Sequence, residues 1–526
     1  MADLQHPAAL SSPCPTEIDP PLTWDYDPLG NQGDFARLWP LTDDAQLAFS
    51  QVVEQMKDDS SFAPQARKLI RFEEASEGTS SRYTGCYRLN TSLVPSSGTW
   101  KIGSDASQAD FLLTRNLNLA GVQGQHCTMQ LDRSTSAFVL KAKYSVIVDG
   151  KRELRKPTEQ QVLLAETGLS IGSLHYVYRS TDLSPATMNR QIEEFRRTLG
   201  WESCRTPSGY LSPPSTDAQS WQDFSIERPV NGGTFGKICC GRHCQTGVLV
   251  AVKRITVRNE HDLETVRREV DILGSLDHAN TLQLAKGYTP DSAIYKDMPP
   301  LSRLGEIIIV MEPFMPSNLG QVEPATLENL LFPLTIVRDL LAGLEYIHGQ
   351  DIMHRDLKPA NICVVPHPPK AIIVDFGNAM RGCSSRDHNV GTIQYLAPEI
   401  MALKHRRTSK SFDKSADVWS LGMTLAETIL RAPITKVWNV DGINKTEYDI
   451  MLPHLVAPHK QSHRKRVADE LCETLAVVAR MLAWTAYDRP TCAEILPGAE
   501  AILEAQLSAP KTPCSPQQPP LKKQKR

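Results

Sequence analysis

The stretch IMHRDLKPANICVV, Ile352–Val365, and the AIIVDFGNAM that follows it, Ala371–Met380, decide how this chain is read. An acid, a lysine and an amide side chain, Asp356, Lys358 and Asn361, fall there at a spacing that fits one loop. A second acid, Asp375, closes the apolar run AIIV and is followed by Phe376 and Gly377. A three-letter match such as DFG carries little by itself. HRDLKPAN, DFG, GTIQYLAPE, DVWSLG and DRP nevertheless occur consecutively, at residues 354–361, 375–377, 391–399, 417–422 and 488–490.

Upstream, VLVAVKRI (Val248–Ile255) reads as a β-strand carrying Lys253, and EHDLETVRREVDILGSL reads as a helix with Leu263, Val266, Val270 and Leu273 on its apolar face. That periodicity leaves Glu269 available to a lysine on a neighbouring strand; by itself such a pair is equally an ordinary surface ion pair. Further upstream, VNGGTFGKI, Val230–Ile238, looks like a glycine-rich loop whose first glycine has become Asn231. Asparagine visits left-handed backbone more readily than other non-glycine residues, so the change reads as a mild adjustment.

The whole set resembles a eukaryotic protein kinase, in the family's order, through residues 223–505. The resemblance implies a bilobal α+β domain that uses ATP and magnesium. Phosphoryl transfer leaves the protein mainly two jobs, positioning the reactants and stabilising the charge that moves. By resemblance, Lys253 holds the α- and β-phosphates and is fixed by Glu269, Asp375 and Asn361 bind magnesium, Asp356 takes or orients the proton of the substrate hydroxyl, and Lys358 offsets charge on the transferred group. The nucleotide-contacting set implied is Val230, Asn231, Gly232, Gly233, Thr234, Phe235, Gly236, Ile238, Ala251, Lys253, Glu312, Asn361 and Asp375. LKPAN with Gly391 and Thr392 looks like the serine/threonine branch, which implies protein substrates presenting Ser or Thr hydroxyls. Glu399 with Arg489 is expected to form a buried ion pair, Asp417 to brace the catalytic loop, and Leu273, His354 and Phe376 to stack between the lobes. Arg355 is expected to meet an activation-loop phosphate, with Ser384 and Ser385 as candidate acceptors; a polar solvated loop is the alternative.

The chain has 526 residues, enough for two or three domains, with 41% apolar and 22% charged residues and a formal net charge of -3. That balance argues against a surface that coats nucleic acid, so no direct nucleic-acid partner is expected. No apolar run approaches the roughly 18 residues of a membrane span, and no membrane association is expected. The twelve cysteines follow no secreted framework and read as reduced thiols; CCGRHC, Cys239–Cys244, lacks a second ligand pair for zinc.

Residues 1–83 are expected to be a partly ordered leader with a helix at Asp44–Met56. From 84 to 180, short apolar runs between turn residues, such as CYRLN, TWKIG and SVIVDG, predict an all-β sandwich. This segment resembles a forkhead-associated domain, a phosphothreonine-recognition module, through Gly103, His126, Asp149-Gly150 and LSIGSLHYVY. It departs from that family at Ser104, Gln123, Lys143 and Tyr144, positions where family members hold phosphate and peptide, so the resemblance implies the fold and a protein partner more than phosphothreonine binding. Residues 181–222 read as a helix with Met188, Ile192, Phe195 and Leu199 on one face, then a Pro/Ser-rich linker. The insertion 287–306 has no function derivable from its sequence. The tail 506–526, ending PPLKKQKR, reads as disordered and as a nuclear localisation signal; without that signal the expectation is cytoplasmic.

The order of module, linker, kinase domain and basic tail resembles checkpoint and meiotic effector kinases of DNA-damage signalling. The rival readings are a pseudokinase scaffold and a phosphopeptide-binding adaptor. Against the first stands the complete set Lys253, Glu269, Asp356, Lys358, Asn361 and Asp375; against the second stand the departures at Ser104, Gln123, Lys143 and Tyr144.

Overall fold

A computed structural model of the chain describes residues 34–58, 68–75, 81–90, 98–114, 121–181, 183–201, 210, 218–221, 223–233, 236–285, 305–323, 326–366, 368–430, 445–446, 448–450 and 469–508. The expectations for residues 286–304, most of the linker and the tail beyond Ser508 lie outside the described residues.

The first unit is two sheets. In the larger, the strand order is Ile70–Glu74, Tyr83–Asn90, Asp34–Pro40, Leu174–Ser180, Glu166–Ile171, Val146–Val148, Arg152–Leu154. In the smaller it is Gln160–Val162, Phe138–Ala142, Cys127–Leu131, Thr99–Gly103, Phe111–Leu112. Cys127–Leu131 buries every second residue, the period of a pleated strand with one face inward. Trp100, Tyr87, Tyr176 and Tyr178 fill the interior between the sheets, fully buried, and each such side chain contributes on the order of 2 kcal/mol by leaving water.

The leader boundary at 83 needs correction. Asp34–Pro40 lies in the middle of the larger sheet, with Leu38 opposite both Tyr87 and Tyr178. The helix expected at Asp44–Met56 runs Asp43–Asp58 and buries Phe49, Val52, Val53 and Met56 in the same core. The first residue of that strand is a buried acid: Asp34 accepts from Arg88 Nε at 2.9 Å and Asn90 Nδ2 at 2.8 Å. A buried charge held in this way costs little, because its lone pairs are satisfied. The helix Pro185–Thr198, capped by Ser184 accepting from the Thr187 N–H, also belongs to this unit. Met188, Ile192 and Phe195 enter the sandwich core, and Phe195 stacks on Trp100 with centroids 6.3 Å apart.

The second unit begins with a sheet ordered Gln219–Trp221, Phe224–Gly233, Gly236–His243, Leu249–Val257, Gly305–Glu312, Gln283–Leu284. Against it packs the helix Glu260–Ser275, whose start is fixed by Asn259 accepting from the Asp262 N–H and whose buried face includes Leu263, Val266, Val270 and Leu273, as its period predicts. The remainder is mainly helical: Leu331–Gly349, Pro398–Lys404, Ser415–Leu430, Asp469–Met481 and Cys492–Ser508. A hairpin, Ile362–Pro366 with Pro369–Ile373, lies between the first two of these in sequence. One apolar cluster runs from Cys240 in the sheet through Leu273 and Phe376 to Leu503, so both lobes share a core. Cys239 and Cys240 are buried strand residues in this sheet.

The two units touch along an edge. Val162 N–H donates to the Cys244 carbonyl at 2.7 Å, and Gln160 Nε2 to the Gln245 carbonyl at 2.9 Å. Gly247, at φ +73°, passes so close that a Cβ there would lie 2.4 Å from Ala137 Cβ.

Candidate active site

The strand Leu249–Val257 sets Lys253 beside the helix Glu260–Ser275. Because Glu269 faces inward on that helix, Lys253 Nζ donates to Glu269 Oε1 at 2.6 Å, with both side chains almost fully buried. Asp375 Oδ1 lies 3.4 Å from the same ammonium. Burial by itself lowers the Lys253 pKa, but the charges of Glu269 and Asp375 outweigh it and hold the group above its ordinary value. A sequence period and a strand register thus place one permanent cation at the junction of the lobes.

Above it, the strands Phe224–Gly233 and Gly236–His243 form a tight hairpin in which Gly233 opposes Gly236 and Asn231 opposes Ile238. Gly236 sits at φ +127°, and a Cβ there would fall 2.5 Å from the Arg254 carbonyl, so this glycine is required. Asn231 occupies a paired position in the strand. Ile238 faces Lys253 across the ladder, and Ala251 pairs with Met311, one residue before Glu312 at the strand end. Val230 and Gly232 lie in the first strand of the hairpin. Thr234 and Phe235 lie outside the described residues.

The catalytic loop is held from below by Asp417. This buried carboxylate accepts the backbone N–H groups of His354 and Arg355, both at 2.8 Å, and His348 Nε2 at 3.1 Å. Burial pushes its pKa up, but the His348 hydrogen bond, the charges of His348 and His354 and the Arg355 N–H overcome burial and leave it lowered. Arg355 is thereby fixed at φ 66°, a left-handed geometry that strains a non-glycine residue by roughly 1–2 kcal/mol. Asp375 is similarly strained at φ 64°. The ring of His354 packs edge-on to Phe376, centroids 5.1 Å apart, with Leu273 buried in the same core.

On this frame the Asp356 carboxylate gathers four donors. Thr392 Oγ1 donates to Oδ1 at 2.9 Å; Lys358 Nζ at 2.9 Å, Asn361 Nδ2 at 3.1 Å and Asn378 Nδ2 at 3.4 Å converge on Oδ2. Lys358 Nζ also donates to Thr392 Oγ1 at 2.8 Å. The Asn361 amide nitrogen is thus committed to Asp356, which leaves its oxygen for a cation. Asp375 keeps a partly exposed carboxylate. Two hard oxygen ligands suit magnesium that takes its remaining ligands from phosphate and water. Among the described residues no cluster of three or more His, Cys, Asp and Glu forms an all-protein cage.

The six expected residues form two groups, Lys253 with Glu269 and Asp375, and Asp356 with Lys358 and Asn361, joined through the backbone where the Val374 N–H donates to the Asn361 carbonyl at 3.0 Å. Sequence reasoning took Thr392 only as a branch marker and passed over Asn378; the signal for both was adjacency to GT and DFG. Farther off, Arg489 and Glu399 form a two-pronged pair at 2.6 and 2.8 Å, and Arg489 Nε also donates to the Ala483 carbonyl at 2.8 Å.

In the first unit Ser104, one of the positions that depart from the family, and His126, expected to be structural, spend polar atoms on the sandwich itself. His126 is buried, its Nδ1 accepting from the Gln123 N–H at 3.1 Å and its Nε2 2.9 Å from the Ser145 carbonyl. Ser104 donates its hydroxyl to the Val122 carbonyl at 3.0 Å.

A two-lobed domain with a buried Lys–Glu pair, a left-handed acid beside it and a catalytic-loop acid ringed by Lys, Asn and Thr has the organisation of a phosphotransfer site. The family described as "Protein kinase domain" matches residues 224–498, and the chain belongs to that family. It is 32% identical over 218 residues to human mitogen-activated protein kinase 12, covering 40% of this chain and 55% of that protein. It is 31% identical over 212 residues to mouse serine/threonine-protein kinase 10, covering 39% and 20%, and 30% identical over 206 residues to serine/threonine-protein kinase dst2 of Dictyostelium discoideum, covering 39% and 17%. The matched segment therefore spans from 17 to 55% of these relatives' own lengths. Among the described residues no helix is long and apolar enough to cross a membrane.

Proposed function

We propose that the chain is an ATP- and magnesium-dependent protein kinase that phosphorylates serine and threonine hydroxyls of protein substrates. The observation that carries this reading is the Asp356 carboxylate, already bonded to Thr392 and Lys358 within the loop that presents Asn361. Lys253, kept charged by Glu269, binds the α- and β-phosphates. Asp375 and Asn361 would hold magnesium, which would supply positive charge against the nucleotide phosphates. Asp356 orients the substrate hydroxyl and accepts its proton as the hydroxyl oxygen bonds to the γ-phosphorus and the bond to the β-phosphate oxygen breaks, releasing ADP. Lys358 offsets charge on the transferred group. The similarity to serine/threonine-protein kinases dst2 and 10 supports the serine/threonine preference.

The first unit serves in this reading as a forkhead-associated-type module that docks a protein partner without relying on phosphothreonine, because Ser104 and His126 spend their polar atoms internally. The basic tail supports nuclear import, and the domain order supports a place in checkpoint signalling.

The test is incubation of the purified full chain with magnesium, labelled ATP and a general acceptor protein, followed by phosphoamino-acid analysis. Phosphoserine and phosphothreonine without phosphotyrosine are expected. No transfer in any activation state, or transfer to tyrosine alone, would overturn the reading.

A further inference from the structure

The activation segment between Gly377 and Ala397 contains two serines that are candidate acceptors of an activating phosphate, Ser384 and Ser385, yet the anion facing Arg355 is a carboxylate. Asp387 Oδ2 lies 3.2 Å from Arg355 Nη1, whereas Ser385 Oγ lies at 3.5 Å. The Arg355 side chain is 4% exposed and Asp387 is 53% exposed. A nearly buried cation is thus met by an acid reaching in from the surface. The other end of the guanidinium is spent on the segment's start, with Nε donating to the Asn378 carbonyl at 2.7 Å.

The segment is built to put that acid there. Asp387 Oδ1 accepts the Asn389 N–H at 3.1 Å, and the Asp387 N–H donates to Ser385 Oγ at 3.1 Å. Ser384 and Ser385 pair with Asp413 and Phe412. Gly391, at φ +72°, crosses directly over the Arg355 backbone, where a Cβ would fall 2.6 Å from the Arg355 carbonyl. The next residue is Thr392, whose hydroxyl bonds to Asp356. A continuous path of contacts therefore runs from Asp387 through Arg355 to the catalytic acid, and from Asp387 along the chain to Thr392.

We propose that Asp387 is a positioning residue whose carboxylate supplies the counter-charge to Arg355, so that the activation segment is ordered and the enzyme is competent without phosphate on Ser384 or Ser385. The proposal rests on the kinase reading for its consequence, though not for its geometry. A phosphate on Ser385 would compete with Asp387 for the same guanidinium, making modification there a modulator rather than a switch.

The test uses full-length protein stripped of phosphate and checked by mass spectrometry. The stripped wild type, free of phosphate on both serines, and a Ser384→Ala variant, which keeps the Ser385 hydroxyl that accepts the Asp387 N–H, should keep their transfer rate within about twofold of untreated protein. Asp387→Asn should lower kcat about tenfold, the worth of one charge-assisted hydrogen bond, with KM for ATP little changed, and Asp387→Glu should restore most of it. In parallel, hydrogen exchange over residues 380–396 should quicken in Asp387→Asn and recover in Asp387→Glu. Activity lost on phosphate removal, or an Asp387→Asn variant with wild-type rate and protection, would overturn the proposal. Normal Asp387-dependent protection in a protein that transfers phosphate in no state would uphold the ordering and count against the kinase reading alone.

Discussion

Replacing Asp417 tests the frame that aims the catalytic loop. Its carboxylate is the shared acceptor for the backbone N–H groups of His354 and Arg355, each at 2.8 Å, and for His348 Nε2 at 3.1 Å. A hydrogen bond to a charged group contributes about 1.5–3 kcal/mol, and removing one side of a buried charged contact costs about 3–5 kcal/mol. Asp417→Ala should therefore lower stability by about 3–5 kcal/mol. Asp417→Asn, which keeps one acceptor oxygen but turns an amide NH2 toward the second N–H, should cost about 2–3 kcal/mol. The left-handed geometry of Arg355 would then lose what enforces it, and a shift of about 1 Å at Asp356 is enough for a hundredfold fall in kcat. The pH dependence has a definite sign. The folded-state pKa of Asp417 is lowered, so its contribution is complete above the ordinary value near about 3.9 and is lost as pH falls through the lower folded value. Urea unfolding of wild type and both variants at neutral pH and at progressively acidic pH should show the gap between wild type and Asp417→Asn closing on the acid side. An Asp417→Ala protein with wild-type unfolding midpoint and kcat would refute the reasoning.

Two other changes separate structure from chemistry. Arg489→Met should cost about 3–5 kcal/mol in urea unfolding, because it strands Glu399 and uncovers the Ala483, Ser415 and Trp484 carbonyls, while the fraction that remains folded still binds ATP; a stability loss below about 1 kcal/mol would contradict the buried pair. Gly247→Leu should force the two units apart at Ala137 and speed amide exchange at Val162, which donates to Cys244; unchanged exchange there would show that the edge contact does not form in solution.

Much of the site was legible in the sequence, and for a physical reason. Asp356, Lys358 and Asn361 share one loop, so their proximity is local and survives any error about the fold. Lys253 and Glu269 are linked by two simple periods, a strand that carries the lysine at its middle, running on to Val257 rather than ending there, and a helix that leaves the glutamate inward. What was not legible depended on contacts between residues far apart. Nothing in RGCSSRDHNVGT says which polar residue reaches Arg355, and the serines drew attention where Asp387 makes the bond. The strand Asp34–Pro40 was hidden because its partners, Tyr83–Asn90 and Leu174–Ser180, are distant in sequence and its first residue is an acid whose burial depends on Arg88 and Asn90. Asn231 is the converse case, conspicuous as a substitution yet seated in a paired strand.

In the proposed mechanism the Asp356 carboxylate, held by Thr392, Lys358 and Asn361, manages the proton in transfer from ATP. The most direct test of this role is transfer by the full chain, wild type against Asp356→Asn, with nucleotide affinity measured on the same preparations. Asp356→Asn should lose about 10²–10⁴-fold in kcat with ATP affinity essentially kept, the size of a general-base contribution. Equal rates in the two proteins would contradict it.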